Sequence, residues 1–173
     1  VISIDQGVMY WDTTSNPNGI ASYMMSLDDF DEFVFEICVQ PVSGLALDGS
    51  IKGETEYWDQ IINWHVEPDM IGIERGNYQI DITPIPCNLL RIYGSHSLDE
   101  QFVSVNGNVF EARIVNTSYD LDRSSTIGFG DNSLLESGSA IIRGLCFAVD
   151  GADCSAADNT VFGDDFAGDG IDN

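Results

Sequence analysis

Basic residues are nearly missing from this chain. Its 173 residues carry one lysine, Lys52, and the arginines Arg75, Arg91, Arg113, Arg123 and Arg143, against 29 Asp and Glu, for a formal net charge of −23. Charged residues make up 20% of the chain, a little below the usual ~25%, so the imbalance comes from absent bases rather than from an excess of acids. Nucleic acid is thereby excluded as a partner, because binding it rests on Lys and Arg neutralising phosphates. An anionic membrane surface is disfavoured for the same reason. No apolar run approaches the ~18 residues of a membrane-spanning helix. No Cys-x-x-Cys occurs and there are only two histidines, His65 and His96, which leaves a zinc site poorly supported. Gly-x-Ser-x-Gly is also lacking, and neither histidine has an identifiable partner for a nucleophilic triad. With 29 acids, nearness of two carboxylates carries no signal for glycoside hydrolysis. These absences point away from an enzyme.

What is present suits one folded domain. Apolar residues make up 43% and aromatics 10%, which is ample for a core and argues against disorder. The apolar pattern has a period of two. Phe33, Phe35, Ile37 and Val39 alternate with Val34, Glu36, Cys38 and Gln40, up to Pro41. Tyr78, Ile80 and Ile82 form a second alternating run, and Leu90 and Ile92 a third that closes at Gly94. Asn106-Gly107 predicts a two-residue type I′ hairpin, which pairs Val105 with Asn108, Val103 with Phe110 and Phe102 with Glu111. That turn puts Val103, Val105 and Phe110 on one face, in agreement with the apolar alternation. A second hairpin is expected at Val149-Asp150-Gly151, with Cys146 opposite Cys154. Glu54 to Trp64 shows helical spacing through Tyr57, Ile61 and Trp64, and a short helix is expected there. The 17 glycines and short, turn-spaced strands predict an all-β fold: a single β-sandwich or jelly-roll-like domain of antiparallel hairpins with two disulfides.

The four cysteines are Cys38, Cys87, Cys146 and Cys154. Even numbers of cysteines in an acidic, lysine-poor chain suit an oxidising compartment, and the preferred pairing is Cys38–Cys87 with Cys146–Cys154. The chain opens at Val1 rather than Met, with no charged and apolar leader, and the cysteines favour a removed signal peptide. The expected organisation is a sandwich domain over residues 1–154 and a tail rich in Asp, Ala and Gly over 155–173. In that tail, Cys154 is followed by acidic residues and by Phe162-Gly163-Asp164-Asp165-Phe166. This resembles the short C-terminal tails of many secreted gammaproteobacterial proteins. The resemblance covers less than a tenth of the chain, and it implies export and no particular activity.

Three sets of residues suggest ways to use such a domain. Asp28, Asp29 and Asp31, then Asp120 and Asp122, then Asp164, Asp165, Asp169 and Asp172 concentrate hard oxygen ligands, and calcium is the one cofactor they suit. No complete EF-hand loop is present. Tyr57, Trp58 and Trp64 lie beside Glu56 and Asp59, a candidate sugar platform in which rings stack on the sugar and carboxylates bind its hydroxyls. Asn116-Thr117-Ser118 is a glycosylation sequon. Finally, Val1, Ile2 and Ile4 open the chain as a strand able to pair with the sheet edge of another copy. The first expectation is therefore a secreted or cell-surface structural subunit that self-assembles head to tail into a filament, surface layer or matrix, by exchange of terminal strands. The alternative is a calcium-stabilised carbohydrate-binding module of a secreted protein.

Overall fold

The computed structural model describes residues 2–5, 8–12, 14, 22–27, 32–44, 47–52, 60–73, 78–95, 100–111, 125–130, 138–150, 154 and 160–164. In chain order the strands are β1 (Ile2–Asp5), β2 (Val8–Asp12), β3 (Ser22–Leu27), β4 (Glu32–Gly44), β5 (Leu47–Lys52), β6 (Gln60–Val66) and β7 (Met70–Ile73). They continue with β8 (Tyr78–Asp81), β9 (Asn88–Ser95), β10 (Glu100–Val105), β11 (Asn108–Glu111), β12 (Ser125–Gly130), β13 (Gly138–Val149) and β14 (Thr160–Asp164). An eight-stranded sheet runs β1-β2-β13-β4-β9-β10-β11, with β14 beside β13; a six-stranded sheet runs β3-β12-β5-β6-β7-β8. All the strand pairs are antiparallel. The fold is an all-β sandwich of jelly-roll type with two disulfides.

The period-two pattern places the core. Phe33, Phe35, Ile37 and Val39 of β4 are buried, with Leu90 and Ile92 of β9, Val103 and Val105 of β10, and Ile142, Leu145 and Phe147 of β13. From the other sheet come Trp64, Val66, Ile71 and Ile73. Phe35 and Trp64 join the two layers, their rings stacked with centroids 5.8 Å apart. At one margin Tyr78 of β8 meets Phe110 of β11, rings 5.4 Å apart. The segment from Ile82 to Cys87 crosses from β8 in one sheet to β9 in the other. It is held by Ile82 N–H donating to Asp69 O, Asn88 Nδ2 donating to Thr83 O, Arg143 Nε donating to Pro86 O and the Cys38–Cys87 disulfide.

The Asn106-Gly107 hairpin forms in the expected register, Val105 with Asn108, Val103 with Phe110 and Phe102 with Glu111. Both central residues have positive φ, 49° and 82°, as a type I′ turn requires. Asn106 also reaches sideways: its Nδ2 donates to Asn88 Oδ1, and its Oδ1 accepts from Leu89 N–H. Both preferred disulfides form, and no cysteine is free.

Three expectations are revised. Pro41 does not end β4, which runs to Gly44; Pro41 faces Ala140 at a register shift in β13, where a missing N–H costs no regular ladder bond. Residues 60–64 are strand rather than helix: β6 pairs with β5 and β7, and Trp64 and Val66 alternate into the core. The Cys146–Cys154 bridge is not a cross-strand hairpin pair: the strand partner of Cys146 is Gly163 in β14. The chain does turn at Asp150, whose φ is 54° and whose N–H donates to Glu32 O. Within the tail expected over residues 155–173 as extended or loosely packed, Thr160–Asp164 pairs with β13 as β14.

Candidate functional site

Cross-strand register sorts the six-stranded sheet into rows, and adjacent rows belong to opposite faces. One row reads Tyr23, Phe129, Gly49, Trp64, Ile73 and Tyr78 across β3, β12, β5, β6, β7 and β8. It is the core row, and Trp64 and Ile73 are buried in it. The next row reads Ser22, Gly130, Asp48, His65, Gly72 and Gln79. It crosses all six strands without one large apolar residue. Beside it, Met24, Gly128, Ser50 and Asn63 form a shorter row of the same face. Six strands at ~4.8 Å spacing make the row about 24 Å across.

His65 is the centre of this row. Its imidazole lies flat on Gly72 of the neighbouring strand: a Cβ at position 72 would overlap ring atoms Cε1 and Nε2. Glycine here serves a close approach, with β7 giving up a side chain so that the ring can settle onto the backbone. The side chain keeps 23% of its surface exposed. Its Nε2 stands 3.8 Å from Oε1 of Glu67, which follows β6 at the hairpin into β7. That hairpin is closed by Glu67 N–H donating to Met70 O at 2.8 Å, with Pro68 at the turn position whose φ its ring presets. Asp69 in the turn and Gln79 and Asp81 on β8 are exposed beside it. An imidazole held flat on the neighbouring strand, with 23% of its side chain exposed, can present a nitrogen and part of its ring to a bound molecule.

The outer face of the eight-stranded sheet is arranged differently. Glu36 on β4 and Arg91 on β9 are cross-strand partners and form an ion pair, Oε1 to Nε 3.3 Å. The Arg91 guanidinium lies 5.3 Å from the Tyr93 ring centroid, and Tyr93 stacks on its cross-strand partner Phe102 at 5.3 Å. Tyr93 thus has Arg91 over its ring and Phe102 stacked against it. Arg143 reaches Gln40 Oε1 at 3.4 Å besides Pro86 O.

The residues expected to matter are distributed unevenly. Trp64, proposed as a glycan contact, is fully buried against Phe35, so its ring is core and not surface. Tyr57 and Trp58 lie outside the described residues, as do Val1 and Asp28, Asp29, Asp31, Asp120, Asp122, Asp165, Asp169 and Asp172. Asp164 falls in β14, opposite Leu145. Ile2 and Ile4 pair with Trp11 and Met9 of the same chain in the β1–β2 hairpin. Among the described residues no group of three or more metal-ligating side chains comes together. The His65–Gly72 pair was not anticipated. Its signal is the alternation Ile62, Asn63, Trp64, His65, Val66, which the helical spacing from Tyr57 obscured.

No protein-family model matches the chain, and no curated protein matches it. Solved structures do resemble it in fold. An alginate lyase from Pseudomonas aeruginosa superposes with a TM-score of 0.60 at 13% identity, over 86% of this chain and 86% of that one. The Emp47p carbohydrate recognition domain gives 0.51 at 14% identity, over 87% and 86%. A sialidase gives 0.56 at 10% identity, over 82% of this chain, which spans only 15% of the sialidase. At these identities the likeness is one of fold.

Proposed function

We propose that this domain is an exported glycan-binding domain whose saccharide lies along the row centred on His65. The observation that carries the reading is that row: small and polar residues cross all six strands, and one half-open imidazole is seated on a glycine at their centre. A row about 24 Å across suits a chain of sugars better than a compact small molecule. The fold supports the reading, since the proteins it resembles include ones named for alginate and for carbohydrate recognition. Two disulfides suit an oxidising, extracellular setting. We read the site as one that binds its ligand, and the incubation described below separates binding from turnover. Calcium in the acidic loops belongs to the same proposal as a structural ion.

The test is titration calorimetry of the unreduced protein with a panel of oligosaccharides, with and without calcium. Binding by the wild type that falls at least tenfold in His65→Ala, with folding unchanged, supports the reading. Equal binding by both proteins refutes it, and new reducing ends during incubation would convert binding into catalysis.

Self-assembly keeps one specific support: β1 is the terminal strand of the eight-stranded sheet, paired with β2 alone among the described residues. Its other edge could dock the edge of a second copy without leaving its own sheet. Removing residues 1–5 would abolish filaments seen by negative-stain microscopy; unchanged filaments would end this version.

A further inference from the structure

Solved structures that resemble this one in fold include alginate lyases, and alginate is a polyuronate, yet the charge around the His65 row is of the same sign as such a polymer. Among the strands of the six-stranded sheet Lys52 is the one basic residue, whereas Asp48 sits in the row itself and Asp81 ends β8. Glu67 and Asp69 add two more carboxylates at the β6–β7 turn. The arginines whose side chains are described, Arg91 and Arg143, belong to the eight-stranded sheet and are held there by Glu36, Pro86 O and Gln40. Among the described side chains, the charged ones around His65 are carboxylates and no base stands with them, and the whole chain carries a formal −23.

Resting on the glycan-binding reading above, we infer that the saccharide taken at the His65 row is free of acidic groups: a neutral or amino-sugar chain, not a uronate. The ring face and nitrogens of His65 can meet sugar C–H and hydroxyl groups, and the exposed Gln79 of the same row brings amide chemistry to it. A free amine on the sugar would meet carboxylates of opposite sign. A polyuronate would approach a surface of its own sign, with a screening length of ~10 Å at 0.1 M salt.

The experiment is calorimetric titration with glucose, glucosamine and uronate oligomers of equal length, at ~0.1 M and ~1 M salt, where the screening length shrinks from ~10 Å to ~3 Å. The inference predicts that glucose or glucosamine oligomers bind at least tenfold more tightly than uronates at the lower salt. It also predicts that the gap narrows at the higher salt and in the double variant Glu67→Lys, Asp69→Lys. Uronates binding as tightly as or more tightly than the others at the lower salt would overturn the inference while leaving the glycan-binding reading standing. Binding of none of the three would remove both.

Discussion

The two outer faces of the sandwich show opposite uses of the same pleat. On the eight-stranded sheet, side chains that point away from the core satisfy one another: Glu36 with Arg91, Arg91 over Tyr93, Tyr93 on Phe102, Cys38 with Cys87, Arg143 with Gln40 and Pro86. On the six-stranded sheet the corresponding row is small and polar, and its central ring, His65, is supported by Gly72 and keeps 23% of its side chain exposed. A face whose groups are already matched gains little from a ligand. A face with a positioned and half-open imidazole has something left to offer, and the functional proposal rests on that difference.

The comparison can be strained at several points. The largest effect is expected where the faces share a core. Trp64→Ala removes the ring that joins β6 to Phe35 and should cost about 3–5 kcal/mol in chemical denaturation, the range for truncating a large buried aromatic. A loss under ~1 kcal/mol, far below that range, would mean the layers are not held together there. Next come the bridges of the eight-stranded sheet. In the chain-entropy picture the 49-residue separation of Cys38–Cys87 is worth about 4 kcal/mol, and the 8-residue separation of Cys146–Cys154 about 2.5 kcal/mol. Paired Cys→Ser variants should unfold in that order of severity; the reverse order would show that the short bridge anchors more than its own loop. Arg91→Ala should cost about 1 kcal/mol or less, since the ion pair is half exposed, and should leave glycan affinity unchanged. Lost affinity would move the binding face to the eight-stranded sheet.

The smallest effect concerns Asp12, the exposed end of β2. Its carboxylate accepts the Thr14 hydroxyl at 2.5 Å and the Thr14 N–H at 2.9 Å, and these bonds hold its pKa below the ordinary value of 3.8. A depressed acid contributes stability that is present above its unfolded pKa and lost as pH falls through the folded one. Thr14→Val should therefore raise the Asp12 pKa toward 3.8 in an NMR titration, and an unmoved pKa would show that the Thr14 hydroxyl does not hold it down.

Much of this architecture could be read in the residues themselves. The alternation from Phe33 to Val39 located β4, and Asn106-Gly107 fixed a turn whose register followed without further information. The disulfide pairing was preferred on the strength of an expected hairpin at Asp150-Gly151; both bridges form, although Cys146 and Cys154 are not cross-strand partners. Local signals failed where a distant strand decided the outcome. Trp64 reads as half of a helical pair with Tyr57 until β5 and β7 flank it, and Pro41 reads as a stop until the register shift in β13 accommodates it. Thr160–Asp164 has too few large apolar residues to declare a strand alone, and it is one because β13 supplies a partner. The site was the least legible part. Neither His65 nor Gly72 is distinctive in sequence, and only the cross-strand register sets one upon the other.

The most direct test of the functional account is an NMR titration of the imidazole resonances with an oligosaccharide that binds. The chain has two histidines, His65 and His96, so the probe reports on the row with one internal comparison. The account predicts that the His65 signals shift in a saturable manner and that Gly72→Ala, which takes away the ring's seat, abolishes the shift while the protein remains folded. Saturable binding that leaves the His65 signals unmoved would contradict it.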